Sequence, residues 1–136
     1  MIKNNSHENT TNNVIDVGEK DFGNAVIEAS EKKLILADFW APWCEPCKQL
    51  TPILLNIAQK NTEKITLVKI NIDENQQLAA QLRIQSIPTV FAFHKKKIVD
   101  AFQGVLTKDK IIQFIEKNLG ETLSEDFTEY FDNIAN

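Results

Sequence analysis

Cysteine is scarce in this chain, with two residues among 136, too few for the disulfide scaffold of a small secreted domain. Long apolar runs are absent too: no stretch approaches the roughly 18 consecutive apolar residues of a membrane-spanning helix. The opening residues, MIKNNSHENTTNN, contain nothing apolar enough to act as a secretory signal. Long basic blocks are missing, and 15 Lys+Arg against 19 Asp+Glu give a net charge of −4, which argues against a nucleic-acid partner. No internal repeat is present. These absences leave a chain expected to be soluble, cytoplasmic and single-domain, and its 136 residues suffice to bury a core without covalent staples.

Charge is unevenly placed. Residues 1–13 hold five Asn and a cancelling Lys3 and Glu8, and are read as a disordered arm. Residues 120–136 carry Glu121, Glu125, Asp126, Glu129 and Asp132 without a Lys or Arg, a charge of −5. The body, residues 14–119, is left with a net +1. In the acidic tail, Phe127, Tyr130, Phe131 and Ile134 recur at helical spacing after Ser124, a possible cap. That segment is read as a short helix, the start of a further domain, or a loosely ordered end.

Apolar periodicity supplies the architecture of the body. Val14, Ile15 and Val17 suggest a short opening strand. Residues 21–30 read as a helix capped by Asp21, with Phe22, Ala25, Val26 and Ala29 on one face. Residues 34–39, LILADF, form the continuous apolar run of a strand covered on both sides. Leu50, Ile53, Leu54, Ile57 and Ala58 mark a helix that Pro52 should kink. A strand over 65–72, a short helix over 76–82, a hairpin around Lys95-Lys96-Lys97 and a helix over 108–119 ended by Gly120 complete the series. The order βαβαβαββα implies an α/β fold, a central mixed sheet flanked by helices with an antiparallel hairpin at one edge.

The chemistry is concentrated in Trp40-Ala41-Pro42-Trp43-Cys44-Glu45-Pro46-Cys47-Lys48, between a buried-type strand and a helix. With Cys44 at the helix start, Cys47 lies one turn on and on the same face, so the two sulfurs can close a small ring with little backbone movement. Unpaired N–H groups and the positive dipole end of the helix favour a thiolate at Cys44. Pro46 falls in the first turn, where a missing N–H costs nothing. A zinc site is disfavoured: His7 and His94 are the remaining soft ligands, one in the arm and one at a distant strand end. A static disulfide does not suit a reducing compartment, and inert buried thiols sit poorly beside Trp43 and Pro46. A reversible redox dithiol is the reading that remains.

Residues 14–119 resemble a thioredoxin domain from end to end. The resemblance is carried by Asp38-Phe39-Trp40-Ala41, Trp43-Cys44-x-Pro46-Cys47-Lys48, Pro52, Lys69 with Asn71-Ile72-Asp73, Ile87-Pro88-Thr89 and Gly104. It implies the thioredoxin fold and a protein-disulfide oxidoreductase without a bound cofactor or metal, fed by a flavin-containing, thioredoxin reductase-like enzyme. Cys44 would attack a substrate disulfide and Cys47, the less exposed thiol, would resolve the mixed disulfide. Asp38, in an apolar strand, should have a raised pKa and exchange a proton with Cys47, moderated by Lys69. The resemblance further implies a cis Pro88 opposite the dithiol, and an apolar substrate-binding collar of Trp43, Ile72, Ile87, Gly104 and Val105.

Residues 81–89, QLRIQSIPT, with Phe102-Gln103-Gly104, are also similar to thioredoxin-like chaperones that carry tetratricopeptide repeats (chaperedoxins). Those proteins hold unfolded clients, the alternative function for this chain. Only 17 residues follow Leu119, fewer than one repeat of roughly 34. The expectation is a shortened form or a repeat-free relative.

Three departures from the thioredoxin pattern stand out. Glu45 replaces the usual Gly between the cysteines and opposes a thiolate at Cys44, so a dithiol at least as reducing as an ordinary thioredoxin is expected. Lys96 stands where Gly is common, which implies a different hairpin turn with a solvated lysine tip. Gln103 places a polar residue beside the collar, with consequences for client choice.

Overall fold

A computed structural model describes residues 13–123 of the chain. The continuous apolar run of residues 34–39 becomes strand β2 (Leu34–Trp40), the middle of five. Strands β1 (Val14–Asp16) and β3 (Ile65–Asn71) lie parallel to it on one side, in the order β1-β3-β2. On the other side β4 (Thr89–His94) runs antiparallel to β2, and β5 (Lys97–Gln103) forms the hairpin edge. The sheet is thus mixed, parallel across β1-β3-β2 and antiparallel across β2-β4-β5.

Alternation along β2 divides the core. Leu34 and Leu36 face a layer containing Leu50, Leu54 and Ile57 of helix α2 (Glu45–Gln59) and Ile111 and Ile115 of helix α4 (Lys108–Leu119). Ile35, Ala37 and Phe39 face the opposite layer, with Val26 of the first helical segment and Leu78 of helix α3 (Gln76–Gln81). Successive strand residues point to opposite faces, so Asp38 falls on the same side as Leu34 and Leu36, toward α2. The carboxylate is thereby turned toward the helix that begins at the dithiol.

The first helical segment, α1, departs from expectation. It winds as π turns over Gly23–Glu28 and tightens to a 3-10 turn over Ala29–Glu31. Asp21 caps nothing with its side chain; its carbonyl accepts from Ala25 N–H at 2.8 Å. Packing takes precedence over ideal winding here: Phe22 meets Phe93 edge-on at 5.7 Å, while Val26 and Ser30 are fully buried. Helix α2 continues through Pro52, and α4 ends as its sequence requires, with Gly120 in the left-handed region at φ 76°.

The Lys95-Lys96 turn also differs from expectation. Both residues have positive φ, 55° and 71°, so lysines occupy a glycine-type two-residue turn. The three lysines of the tip are exposed, as expected, while the turn's backbone is docked: Lys95 N–H donates to the Ser30 carbonyl and Lys96 N–H to Ser30 Oγ, each at 2.8 Å. At the chain ends, Asn13 is buried and donates its side-chain amide to the Ala58 carbonyl, one residue before the expected boundary. Beyond Gly120, Leu123 packs into the α2/α4 core and its N–H donates to Glu116 Oε2 at 2.9 Å. The expected arm up to Asn12 and the tail from Ser124 lie outside the described residues.

Candidate active site

Strand β2 delivers the chain to its C-terminal edge at Trp40, and Ala41-Pro42-Trp43 turns it into α2. Cys44 is the N-cap of that helix, in extended conformation (φ −93°, ψ 107°), and Cys47 lies in its first turn. The two are joined as a disulfide with Cα atoms 5.3 Å apart. Cys44 Sγ also accepts from Cys47 N–H at 3.2 Å, the bond that a Ser or Asp side chain makes at other helix starts. The Cys47 N–H at the helix start is therefore directed at the Cys44 sulfur, where with the helix dipole it stabilises negative charge. Exposure separates the two cysteines only slightly, 4% for Cys44 and 2% for Cys47.

The surroundings of the disulfide are apolar. Fully buried Ala41 clusters with both cysteines, and Trp40, Ile72 and Ile87 pack against them. Ile72 and Ile87 were expected there; Trp40 and Ala41 were not, although their closeness in sequence to Cys44 was a usable signal. Trp43 is 64% exposed and its indole N–H donates to Asp73 Oδ2 at 3.0 Å. The Ile87–Pro88 peptide is cis, and the Pro88 carbonyl accepts from Gly104 N–H at 2.9 Å. Gly104 has φ 80°, a backbone conformation that suits glycine, and Val105 beside it is 39% exposed.

Behind the disulfide, Asp38 is 1% exposed, and neither carboxylate oxygen has a hydrogen-bond partner. Burial raises its pKa from the ordinary 3.8 to about 7, against smaller lowering influences from the Lys69 ammonium and the Thr51 hydroxyl. Lys69 is the β3 residue paired with Asp38 in the parallel ladder. Its ammonium lies 4.6 Å from the centre of the Trp40 ring, and no described ion pair joins it to Asp38. The Thr51 hydroxyl directs its proton at the Cys47 carbonyl, 2.9 Å away. A pocket of about 260 Å³ bordered by Cys47, Thr51, Trp40 and Lys69 opens on this flank of the dithiol.

The rim of the site is charged. Glu45 and Lys48 form an exposed pair at 3.2 Å in the first turn of α2. Among the described residues, no group of three or more His, Cys, Asp or Glu is placed to hold a metal ion. No described helix is long and apolar enough to cross a membrane.

Comparison with known proteins agrees with this geometry. The thioredoxin family model matches residues 13–117. The chain is 46% identical to thioredoxin 1 of Nostoc sp. over 85 residues, covering 62% of this chain and 79% of that one. It is 36% identical to the thioredoxin of Haemophilus influenzae over 106 residues, 78% of this chain and 97% of the relative. Against the thioredoxin of Bacillus subtilis the identity is 38% over 86 residues, 63% of this chain and 83% of the relative. A dithiol at a helix N-terminus on the edge of a mixed sheet thus has its counterpart in sequence, and the chain belongs to the thioredoxin family of thiol–disulfide oxidoreductases.

Proposed function

We propose that this chain is a cytoplasmic reductase of protein disulfides, fed by a flavin-containing reductase. The observation that carries the reading is the Cys44–Cys47 pair at the start of α2 with a buried, unpaired Asp38 behind it. In the reduced form, the Cys44 thiolate attacks one sulfur of a substrate disulfide and expels the other as a thiolate. Cys47 then gives up its proton, attacks Cys44 Sγ and releases the second substrate thiolate, closing the 44–47 disulfide. Two electrons pass to the substrate, and the reductase returns two to the dithiol. Asp38, with a pKa pushed up to about 7, is suited to take the Cys47 proton near neutrality. Lys69 keeps that carboxyl from being held neutral at still higher pH.

Trp43, Ile72, Ile87, Pro88, Gly104 and Val105 form the surface on which an extended substrate segment lies. Supporting this are the exposed Trp43 and Val105 and the packing of Ile72 and Ile87 on the cysteines. The rim carboxylate of Glu45 argues for a dithiol at least as reducing as an ordinary thioredoxin, an effect its pairing with Lys48 lessens. A midpoint clearly more oxidising than glutathione would contradict this. Holding unfolded clients is the lesser reading: it rests on the 81–89 segment and the acidic tail, whereas the relatives named above are thioredoxins. The test is dithiothreitol-driven insulin reduction followed by turbidity. Catalysis by the full chain that disappears in Cys44→Ser supports the reading; a rate equal to dithiothreitol alone overturns it.

A further inference from the structure

The first turn of α2 carries a charge that disulfide exchange itself does not require. Glu45 stands directly beside Cys44, its side chain 77% exposed, and its Oε2 is held by Lys48 Nζ at 3.2 Å. Ion pairs this exposed are weak, because water screens the attraction and two flexible side chains must be fixed to make it. A cation brought by a partner can therefore take the place of Lys48 with little loss. The neighbouring carboxylate is differently placed: Asp73 Oδ2 is occupied by the Trp43 indole N–H at 3.0 Å, which fixes its position. Of these two carboxylates, that of Asp73 is thus anchored and that of Glu45 can exchange partners. The sulfur to be attacked must come within bonding distance of Cys44, so the substrate residues next to it pass within reach of Glu45. At ionic strengths near 0.1 M the screening length is about 10 Å, so only charges close to the substrate disulfide are read.

We propose that Glu45 is a specificity-determining residue that favours disulfides flanked by Lys or Arg and disfavours those flanked by Asp or Glu. This rests on the thiol–disulfide exchange reading above. The reaction is unchanged: the dithiol is oxidised to the 44–47 disulfide, and the peptide disulfide takes up two electrons and two protons. What Glu45 alters is the encounter and the mixed disulfide, through attraction or repulsion beside the reacting sulfurs.

The test uses the full chain with three cyclic disulfide peptides that differ only in the residue flanking the disulfide: Lys, Gln or Glu. Dithiothreitol regenerates the dithiol, and each rate is divided by that of dithiothreitol alone, which removes the intrinsic reactivity of the peptide. At low salt the corrected kcat/KM should fall in the order Lys, Gln, Glu, with about a 3- to 10-fold spread. High salt should compress the spread. Glu45→Gln should shrink it toward unity, Glu45→Lys should reverse it, and Lys48→Gln, which frees the carboxylate, should widen it. Equal corrected rates for the three peptides, or a spread that survives Glu45→Gln, would overturn the proposal while leaving disulfide exchange intact. Failure to reduce even the Gln-flanked peptide would instead break the exchange reading.

Discussion

The two ends of the sheet treat buried polar groups in opposite ways. At the dithiol end, both oxygens of Asp38 and the indole N–H of Trp40 are buried without a hydrogen-bond partner. At the far end, the buried Ser30 is fully engaged. Its hydroxyl donates to the Ile27 carbonyl at 2.6 Å and accepts from Lys96 N–H, while its carbonyl accepts from Lys95 N–H. The Lys64 ammonium secures the same end, donating to the Thr122 carbonyl at 2.8 Å and pairing with Glu121 at 3.2 Å. An unpaired buried carboxyl is unfavourable for folding, but in the mechanism proposed above its raised pKa suits it to accept a proton near neutrality. Around Ser30, where no proton has to move, the polar groups are satisfied and serve stability alone, although Asn13 Oδ1 at the same end is buried without a partner.

The largest effect expected from this contrast lies at the dithiol. Cys47→Ser should reduce insulin turnover to the uncatalysed dithiothreitol rate and leave a mixed disulfide on Cys44, detectable by mass; sustained turnover would show that resolution does not need Cys47. Next comes Asp38→Asn. The carboxyl titrates at about 7 in the folded chain against 3.8 for an ordinary Asp. Between those values the unfolded chain releases its proton first, so wild-type stability falls as pH rises and then levels off above 7. In the oxidised state Asp38→Asn should therefore be more stable than wild type by roughly 4 kcal/mol at mildly alkaline pH, and the gap should close toward the acid end of that window. Urea unfolding at several pH values reads this directly, and a pH-independent difference would refute it.

The far end should behave in the opposite sense. Ser30→Ala leaves Lys96 N–H without its acceptor and should cost about 1–3 kcal/mol of stability while disulfide reduction is preserved. A loss of activity without a loss of stability would erase the distinction between the two ends. The smallest change is Lys96→Gly. It relieves a left-handed lysine at φ 71° and gives up an exposed pair with Glu28 at 3.4 Å. The net outcome should be a gain of up to about 1 kcal/mol in thermal or urea unfolding.

Much of this was legible in the sequence, for local reasons. The apolar run of β2, the helical spacing of α2 and α4, Gly120 as a stop and the Cys-x-x-Cys at a strand-to-helix junction each depend on residues near one another in the chain. Features set by distant contacts were not legible. The π winding of α1 answers to the sheet beneath it, and nothing within residues 21–31 announces it. Ser30 reads as an ordinary helix-end polar residue until the hairpin, more than sixty residues later, docks on it. Leu123 lies in a polar segment, and only the fold shows that it returns to the core. Asp38 was legible as a buried carboxyl. That Lys69 stacks on Trp40 instead of bonding the carboxyl was not, because register alone does not decide between an aromatic face and a charge.

The measurement that bears most directly on the account is the titration of the Asp38 side-chain carboxyl in the oxidised protein, followed by carbon NMR and assigned by its loss in Asp38→Asn. The account predicts a midpoint near 7, the mark of a carboxyl buried without a partner beside the dithiol. A midpoint near the ordinary 3.8 would mean that Asp38 is solvated or paired, and the contrast between the two ends of the sheet would fall with it.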